Sequence, residues 1–327
     1  MTKALSDKLK VGSLICTVMV VFRHSLNLRA FFGNDVPDSY CLFVETGVSK
    51  LTEIAVPYFF LVSGFFFLRQ SYLSPGEYGR MLRKKGRTLL VPFLFWNFVG
   101  VLPLMLAGRF RYECDAWLYV RDCLRSDWNG ALWYVRDLMT YMLLVPLYGW
   151  VFAWDRKWFY VLVGLVLFRH WLPVDCGWIS SEGVLFFFLG GVLSRWNPTL
   201  RFRCPAWLTA ILLAVWMVSC FGFPHWYAVH RYNYLLGLYV FWQVLDYVPS
   251  AGMLRVTSYS FFIYVTHLYF IKGMKIGLAR HFPGDGRMAM VAYFLLPLLS
   301  VGIALLVGRL WKRYSPRTFT WVTGGRG

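Results

Sequence analysis

The sequence predicts an all-α fold, namely a polytopic membrane helix bundle with about ten transmembrane helices. Hydrophobic residues make up 58% of the 327 residues, aromatic residues make up 20%, and the mean hydropathy is +0.51. Soluble domains contain only about 45–50% apolar residues. The apolar residues also collect into runs, separated by short polar stretches that carry most of the charge. This alternation is typical of a chain that crosses a bilayer repeatedly.

The apolar segments use most of the chain. They lie at about residues 11–30, 51–68, 88–107, 131–153, 158–172, 181–194, 206–223, 231–247, 258–276 and 288–310. A helix needs about 20 residues to cross the hydrocarbon core, so ten spans would use about 200 residues and leave only short loops. We therefore expect one integral-membrane domain over residues 1–327, embedded in the lipid bilayer, with no separate soluble domain.

The net charge of +18 has two possible meanings. Nucleic-acid binding would need a basic face, whereas these basic residues sit between apolar segments, as the positive-inside rule describes. We therefore expect no nucleic-acid partner. An even number of spans places both termini on one side, and the strongest basic clusters share that side, so we expect cytoplasmic termini. Those clusters contain Lys3, Lys8, Lys10, Arg80, Arg83, Lys84, Lys85, Arg87, Arg195, Arg201, Arg203, Lys312 and Arg313.

The sequence predicts neither a cleavable signal peptide nor a metal site. The first apolar run follows MTKALSDKLK, exceeds the length of a signal h-region and lacks a small-residue cleavage site. The seven cysteines show no metal-ligand spacing. Cys114 and Cys123 share one polar loop, where they would form a disulfide in an oxidising space or remain two separate thiols. The sequence leaves both alternatives open.

The first apolar segment contains the stretch VMVVFRHSLNL (18–28), which places Arg23 and His24 inside an apolar run. A helix turns about 100° per residue, so Thr17 and Ser13 lie within about 20° of the face of His24, and Lys10 lies about 40° away. We expect this polar stripe to face the bundle interior. Arg23 projects about 100° away and needs another partner or the outer interface.

The stripe has two interpretations. His24 is either a hydrogen-bonded core histidine or a proton-handling group, because ionisable residues inside membranes commonly serve a function. Further stretches share this mixture of apolar and polar residues: IAVPYFFLVSGFFF (54–67), RKKGRTLLVPFLFWN (83–97), LWYVRDLMTYMLLVP (132–146) and SYSFFIYVTHLYF (258–270). In the first of them, Ser63 and Gly64 permit close helix packing. In the third, Arg136 and Asp137 are expected to form a pair.

Taken together and in this order, these stretches resemble acyltransferase family 3, the membrane O-acyltransferases that modify bacterial surface glycans. The matching features are the histidine–serine pair of the first helix, P-x-F-F-x-x-S-G, the basic cluster before L-L-x-P-F, L-W-[FY]-x-R-D-L, and a late I-Y-x-x-H. The resemblance covers most of the chain and implies a ten-helix domain in the bacterial inner membrane. The chain ends after the tenth predicted helix, so we expect it to lack the extracytoplasmic domain that some members carry.

The resemblance implies acyl transfer from cytoplasmic acetyl-CoA to a glycan hydroxyl. This chemistry needs a base for the hydroxyl proton, a group that stabilises the oxyanion, and cations that hold the donor phosphates. His24 is the candidate base. Tyr264 and His267 are either a second polar element of the site or a packing contact.

The basic cluster before the third segment is the candidate donor site. The resemblance assigns Arg87 and Arg83 to acetyl-CoA phosphates, while Lys84 and Lys85 are expected to anchor the topology. One position departs from the family pattern. The family places a basic residue eleven positions before the histidine, and here that position is occupied by Ser13. Lys10, one turn lower on nearly the same face, would supply the missing charge with its flexible side chain.

Three functions remain in competition at this point. The first is an integral-membrane O-acetyltransferase acting on a surface polysaccharide or a lipid-linked glycan precursor. The second is a transporter or flippase of such precursors, although the sequence lacks the internal repeats of many transporter folds. The third is a membrane sensor or scaffold, which would leave the polar stripe unexplained.

Overall fold

The computed structural model describes residues 2–33, 35–69, 74–106, 116–154, 156–171, 179–202, 204–222 and 227–325. These residues form helices, and no β-strand occurs among them, so the predicted all-α fold is confirmed. They group into two compact units. The first comprises Met1–Phe59 and Thr199–Arg309, and the second comprises Phe60–Pro198 and Leu310–Gly327.

Ten α-helices of the described residues lie wholly or partly in the first unit. They are α1 (Lys3–Arg23), α2 (Leu28–Phe32), α3 (Asp38–Cys41), α4 (Ser49–Glu53), α5 (Ala55–Phe67), α13 (Ala206–Gly222), α14 (Tyr227–Val244), α15 (Ala251–Leu254), α16 (Ser260–His281) and α17 (Gly286–Tyr314), with the 3₁₀ turn Thr257–Tyr259 before α16. A π-helix at Leu42–Val48 joins α3 to α4. Helix α1 packs against α4 and α16, so it lies at the centre of this unit.

Helix α1 begins earlier and ends earlier than the predicted segment 11–30. The Thr2 hydroxyl caps it by accepting the N–H of Leu5 at 3.3 Å. Its last residue is Arg23, and His24 is its C-cap. Asn27 then adopts a left-handed conformation with φ of 66°, which stops the helix from continuing. The predicted continuation to residue 30 is therefore wrong, because the chain turns after His24 and restarts as α2.

The second unit contains the remaining helices and the far ends of α5 and α17. Its helices are α6 (Pro75–Lys85), α7 (Val91–Leu106), α8 (Ala116–Arg125), α9 (Trp133–Leu143), α10 (Val145–Ala153), α11 (Lys157–His170), α12 (Ser181–Trp196) and α18 (Pro316–Val322). A π-helix at Gly86–Leu90 joins α6 to α7, and a 3₁₀ turn at Gly130–Leu132 precedes α9. The predicted fourth segment is divided at Leu144, two residues before Pro146, which has no N–H for a continuous helix.

Two glycines allow α5 and α12 to approach closely in the second unit. A side chain at Gly64 would collide with the backbone carbonyl of Phe187, and one at Gly190 would collide with that of Leu61. The predicted close approach at Gly64 is therefore confirmed. Such small-residue contacts bring helix backbones together where apolar burial gives little drive for association.

The predicted Arg136–Asp137 pair is also confirmed. The Arg136 guanidinium donates to Asp137 Oδ1 at 2.8 Å, and Asp137 is completely buried. Asp137 Oδ2 accepts the backbone N–H of Ser180 at 2.9 Å, immediately before α12. The Tyr141 hydroxyl also donates to Oδ2, at 3.5 Å. The carboxylate is thus satisfied by several donors and fixes the start of α12, which explains how a charge can be buried here.

Two helical runs among the described residues are long and apolar enough to cross a membrane by length and composition. They are Asp38–Phe67, with 30 residues, and Gly286–Tyr314, with 29 residues. Within the described residues, each of the ten predicted apolar segments overlaps at least one helix, although several of those helices are shorter or more polar than this criterion requires. The number of spans remains a prediction.

Candidate functional site

The histidines of the two most distant sequence motifs meet in the first unit. His24 is the C-cap of α1, and His267 lies in the middle of α16. Their ring centroids are 5.1 Å apart with an interplanar angle of 46°. His24 is half-buried, whereas His267 is completely buried. The helix geometry of α1 and its packing against α16 therefore create a pair of neighbouring imidazoles.

The hydrogen bonding of His267 defines its tautomer. Its Nδ1 lies 2.6 Å from the backbone carbonyl oxygen of Tyr264, one turn earlier on α16. A carbonyl can only accept, so Nδ1 carries the hydrogen and the neutral ring leaves a lone pair on Nε2. Nε2 is buried and has no hydrogen-bond partner in the described part of the chain. A buried acceptor without a partner is costly, so the ring is suited to accept a proton or hydrogen bond from a ligand.

Tyr264 contributes to this site through its backbone. Its side chain is buried, and its ring lies 6.2 Å from that of His267, centroid to centroid. The carbonyl of Tyr264 orients the imidazole, as described above. The structure thus brings His24, Tyr264 and His267 together.

Arg23 points away from the two imidazoles, as the helix geometry predicts. Its guanidinium forms an ion pair with Glu53 at 2.8 Å and also bonds to the Ser49 hydroxyl. Both partners belong to α4. The expectation of a separate partner for Arg23 is confirmed, and this ion pair ties α1 to α4.

The sequence reasoning missed Lys275. This side chain is only 1% exposed, and its ammonium donates to the backbone carbonyls of Ser25 and of Leu26, the latter at 2.6 Å. Lys275 lies eleven residues after Tyr264, which is about three helical turns and nearly the same face. That spacing is the signal that could have identified it.

The rest of the polar stripe on α1 does not reach His24. The hydroxyls of Ser13 and Thr17 donate to backbone carbonyls of their own helix, each at 2.8 Å. Thr17 is buried, as predicted, but Lys10 is exposed and lies 3.7 Å from the carboxylate of Asp7. Fourteen residues of helix separate Lys10 from His24, or about 21 Å along the axis.

A cavity of about 490 Å³ lies at the start of α1 in the first unit. Lys8 lines it, forming an ion pair with Asp246 at 2.6 Å and lying 4.1 Å from the centre of the Trp242 ring. Burial lowers the pKa of the Lys8 ammonium, while the hydrogen bond and the charge of Asp246 act in the opposite direction. Lys8 is therefore held in place by its neighbours.

The candidate donor residues belong to the second unit. Arg83 lies in the last turn of α6, and Arg87 lies in the following π-helix. Both are exposed, as is Lys84, whereas Lys85 is half-buried with its ammonium 4.4 Å from the centre of the Phe67 ring. A π-helical turn is rare and often marks a functional position. The side chains of both arginines are thus open to solvent beside this turn.

A segment near the C-terminus packs beside this basic turn. We call α18 and the turn Thr323–Gly325 the C-terminal clasp. Its Phe319 and Thr323 are completely buried, and the Trp96 indole of α7 donates to the Val322 carbonyl at 2.9 Å. Gly324 has φ of 64°, and a side chain there would collide with the carbonyl of Thr88. The clasp thus supports the π-helix that carries Arg87.

The predicted alternatives for Cys114 and Cys123 cannot be compared in this structure, because Cys114 lies outside the described residues. Cys123 is buried in α8. No group of three potential metal ligands occurs among the residues that are described.

Comparisons with known proteins agree with the family resemblance. The family model described as an acyltransferase domain matches residues 13–309. The succinoglycan biosynthesis protein ExoH of Rhizobium meliloti (strain 1021) is 26% identical over 309 residues, covering 85% of this chain and 80% of ExoH. No solved structure gives a significant match. Because the family model spans most of the chain, from the first helix to α17, the chain belongs to acyltransferase family 3.

Proposed function

We propose that this protein is an integral-membrane O-acetyltransferase of the bacterial inner membrane. It transfers an acetyl group from cytoplasmic acetyl-CoA to a hydroxyl of a surface polysaccharide or a lipid-linked glycan precursor. The proposal includes about ten membrane spans and cytoplasmic termini. It extends the family assignment, which establishes only that the chain is an acyltransferase.

The observation that carries this proposal is the contact between His24 and His267. Both residues lie within the matched domain, and the two rings are 5.1 Å apart. A neutral imidazole is the commonest general base in proteins because its unperturbed pKa lies near neutrality. The unoccupied lone pair on His267 Nε2 adds a second acceptor beside the first.

In the proposed reaction, His24 takes the proton from the acceptor hydroxyl. The hydroxyl oxygen then forms a bond to the thioester carbonyl carbon, and the carbon–sulfur bond breaks. The proton passes from the His24 imidazolium to the departing thiolate, so the products are an acetyl ester and free CoA thiol. His267 accepts a hydrogen bond from the acceptor hydroxyl or from His24 and so keeps that group oriented for attack on the thioester carbonyl carbon.

Arg83 and Arg87 are the proposed ligands of the donor phosphates. Both side chains are exposed cations, and guanidinium groups bind phosphates with paired hydrogen bonds. The glycan acceptor is inferred from the ExoH relative, whose name refers to succinoglycan biosynthesis. Lys10 retains its proposed role as the basic residue that substitutes for the one missing at Ser13.

Thiol release tests this function directly. The purified protein in nanodiscs would be given acetyl-CoA with lipid-linked or polymeric glycan, and free CoA and ester-linked acetyl would both be measured. We expect equal amounts of the two products, and their loss in His24→Ala. Glycan movement across the bilayer without thiol release would instead identify a transporter and overturn the proposal.

A further inference from the structure

Lys275 is a buried cation on α16 that lies outside the proposed catalytic and donor-binding groups. Its side chain is 1% exposed, and it forms no ion pair with a carboxylate among the described residues. Its ammonium instead contacts the Ser25 and Leu26 carbonyls and lies 4.7 Å from the centre of the Phe31 ring. All of these partners belong to the ten residues that follow α1.

The contacts complete the backbone hydrogen bonding at the end of α1. The N–H groups of His24, Ser25 and Leu26 bond back to Val20, Phe22 and Arg23 at 3.0, 2.9 and 3.4 Å. The carbonyls of Ser25 and Leu26 accept hydrogen bonds from the Lys275 ammonium. Further along, the Glu45 carboxylate accepts the N–H of Leu28 at 3.3 Å. The turn that carries His24 is therefore held at residues 24, 25, 26 and 28.

An apolar side chain at position 275 would avoid the cost of burying an ammonium group. That cost is large unless polar groups compensate the charge, and intramembrane cations commonly have a function. Here two carbonyls, the aromatic face of Phe31 and the negative end of the α1 dipole provide the compensation. These contacts all fix the same turn, so its geometry is what the lysine controls.

We propose that Lys275 is a positioning residue for His24. Helix α16 contacts the end of α1 twice, through the His267 ring beside His24 and through the Lys275 ammonium on the next two carbonyls. The lysine thereby sets the position of the His24 imidazole relative to His267. This inference rests on the proposed function in one respect, namely that the position of His24 matters for transfer.

The role predicts a specific pattern of kinetic change. A displacement of about 1 Å in a reacting group can cost about 100-fold in rate. Lys275→Met should therefore lower kcat by about 10- to 100-fold per folded molecule, with an unchanged KM for acetyl-CoA. Lys275→Arg, which retains a cation with several donors, should recover most of the activity. Arg280→Met is the matched control, because it removes a cation from the exposed side of the same helix, and it should change kcat less than twofold.

Amide hydrogen exchange of the peptide covering residues 24–33 tests, without any activity measurement, whether Lys275 stabilises this turn. We expect exchange to be about tenfold faster in Lys275→Met than in the wild type or in Arg280→Met. If Lys275→Met does not accumulate, Lys275→Gln provides the same comparison, since its amide can still donate to the carbonyls without a charge. Lys275→Gln should show exchange faster than the wild type but less than about tenfold faster, and a kcat reduced by less than the roughly 10- to 100-fold expected for Lys275→Met.

The outcomes separate this inference from the proposed function. Unchanged exchange at residues 24–33 in Lys275→Met would show that Lys275 does not stabilise the turn, whatever the activity of the variant. Faster exchange with unchanged kcat per folded molecule would leave Lys275 as a structural residue and overturn its positioning role. Normal transfer in His24→Ala would overturn the assignment of His24 as the base. The exchange result would still report whether Lys275 stabilises the turn.

Discussion

His24 and His267 stand with their ring centroids 5.1 Å apart, although they lie near opposite ends of the sequence. One ring sits at the half-buried end of a helix, and the other is completely buried and oriented by the Tyr264 carbonyl. The half-buried ring can therefore meet a substrate while the completely buried ring holds a fixed lone pair. This division suits a base supported by a second acceptor.

The first prediction concerns these two rings. His24→Ala should lower transfer by about 10²–10⁴-fold, the usual contribution of general-base catalysis, while the protein still accumulates in the membrane. His267→Gln should lower kcat by a smaller factor, because it replaces the rigid Nε2 acceptor with a flexible amide but leaves the base. The measurement is acetylated product per unit of folded protein.

His281→Gln provides the matched control for His267→Gln. His281 lies at the end of the same helix, and its Nδ1 also contacts a backbone carbonyl one turn earlier, that of Gly277 at 2.9 Å, but it is exposed. We expect near-normal activity from this variant. Equal losses in the two glutamine variants would contradict a specific role for His267.

Helix existence and local pairings could be predicted from the sequence because they depend on short-range patterns. The apolar segments, the Arg136–Asp137 pair and the close approach at Gly64 all follow from such patterns. The end of α1 could not, because the left-handed turn at Asn27 breaks a run that remains apolar. Lys275 was missed because its partners are backbone carbonyls, which leave no trace in residue identity.

The second prediction concerns donor binding. Arg83→Gln and Arg87→Gln should each raise the KM for acetyl-CoA by about tenfold or more, since a hydrogen bond to a charged group contributes about 1.5–3 kcal/mol. Lys84→Gln, next to Arg83 and also exposed, is the control and should change KM less than twofold. A thiol-release titration measures all three. Equal KM values for acetyl-CoA in the three variants would indicate that the basic cluster only determines topology.

The third prediction concerns Lys10. Lys10→Ala should impair transfer, and Ser13→Arg should restore it in the Lys10→Ala background, if the charge near this level of α1 is what the reaction needs. Because Lys10 lies near Asp7, Asp7→Ala is the necessary comparison. Loss of activity in Asp7→Ala as well would show that the ion pair, rather than the lysine charge, is responsible.

The fourth prediction tests the C-terminal clasp with two neighbouring glycines. Gly324 and Gly325 both have positive φ, of 64° and 76°, but only a side chain at Gly324 would meet the Thr88 carbonyl. Gly325→Ala should cost about 1–2 kcal/mol from backbone strain alone. Gly324→Ala should cost more and should also raise the KM for acetyl-CoA by displacing the turn that carries Arg87. Equal melting temperatures and equal KM values in the two variants would contradict support of Arg87 by the clasp.

The last prediction concerns topology. The clasp packs against Thr88 beside the basic turn, so the tail and that cluster lie at the same end of the second unit, as cytoplasmic placement of both requires. In a variant without the seven native cysteines, single cysteines at Lys3, Asp127 and Arg317 would be treated with a membrane-impermeant maleimide. All three positions are exposed. With an even number of spans and cytoplasmic termini, only Asp127→Cys should react in intact cells, and all three should react after permeabilisation, which serves as the accessibility control. If Lys3→Cys reacts in intact cells and Arg317→Cys does not, the number of spans between them must be odd. If both terminal positions react in intact cells, the termini are outside the cytoplasm and the predicted orientation is wrong.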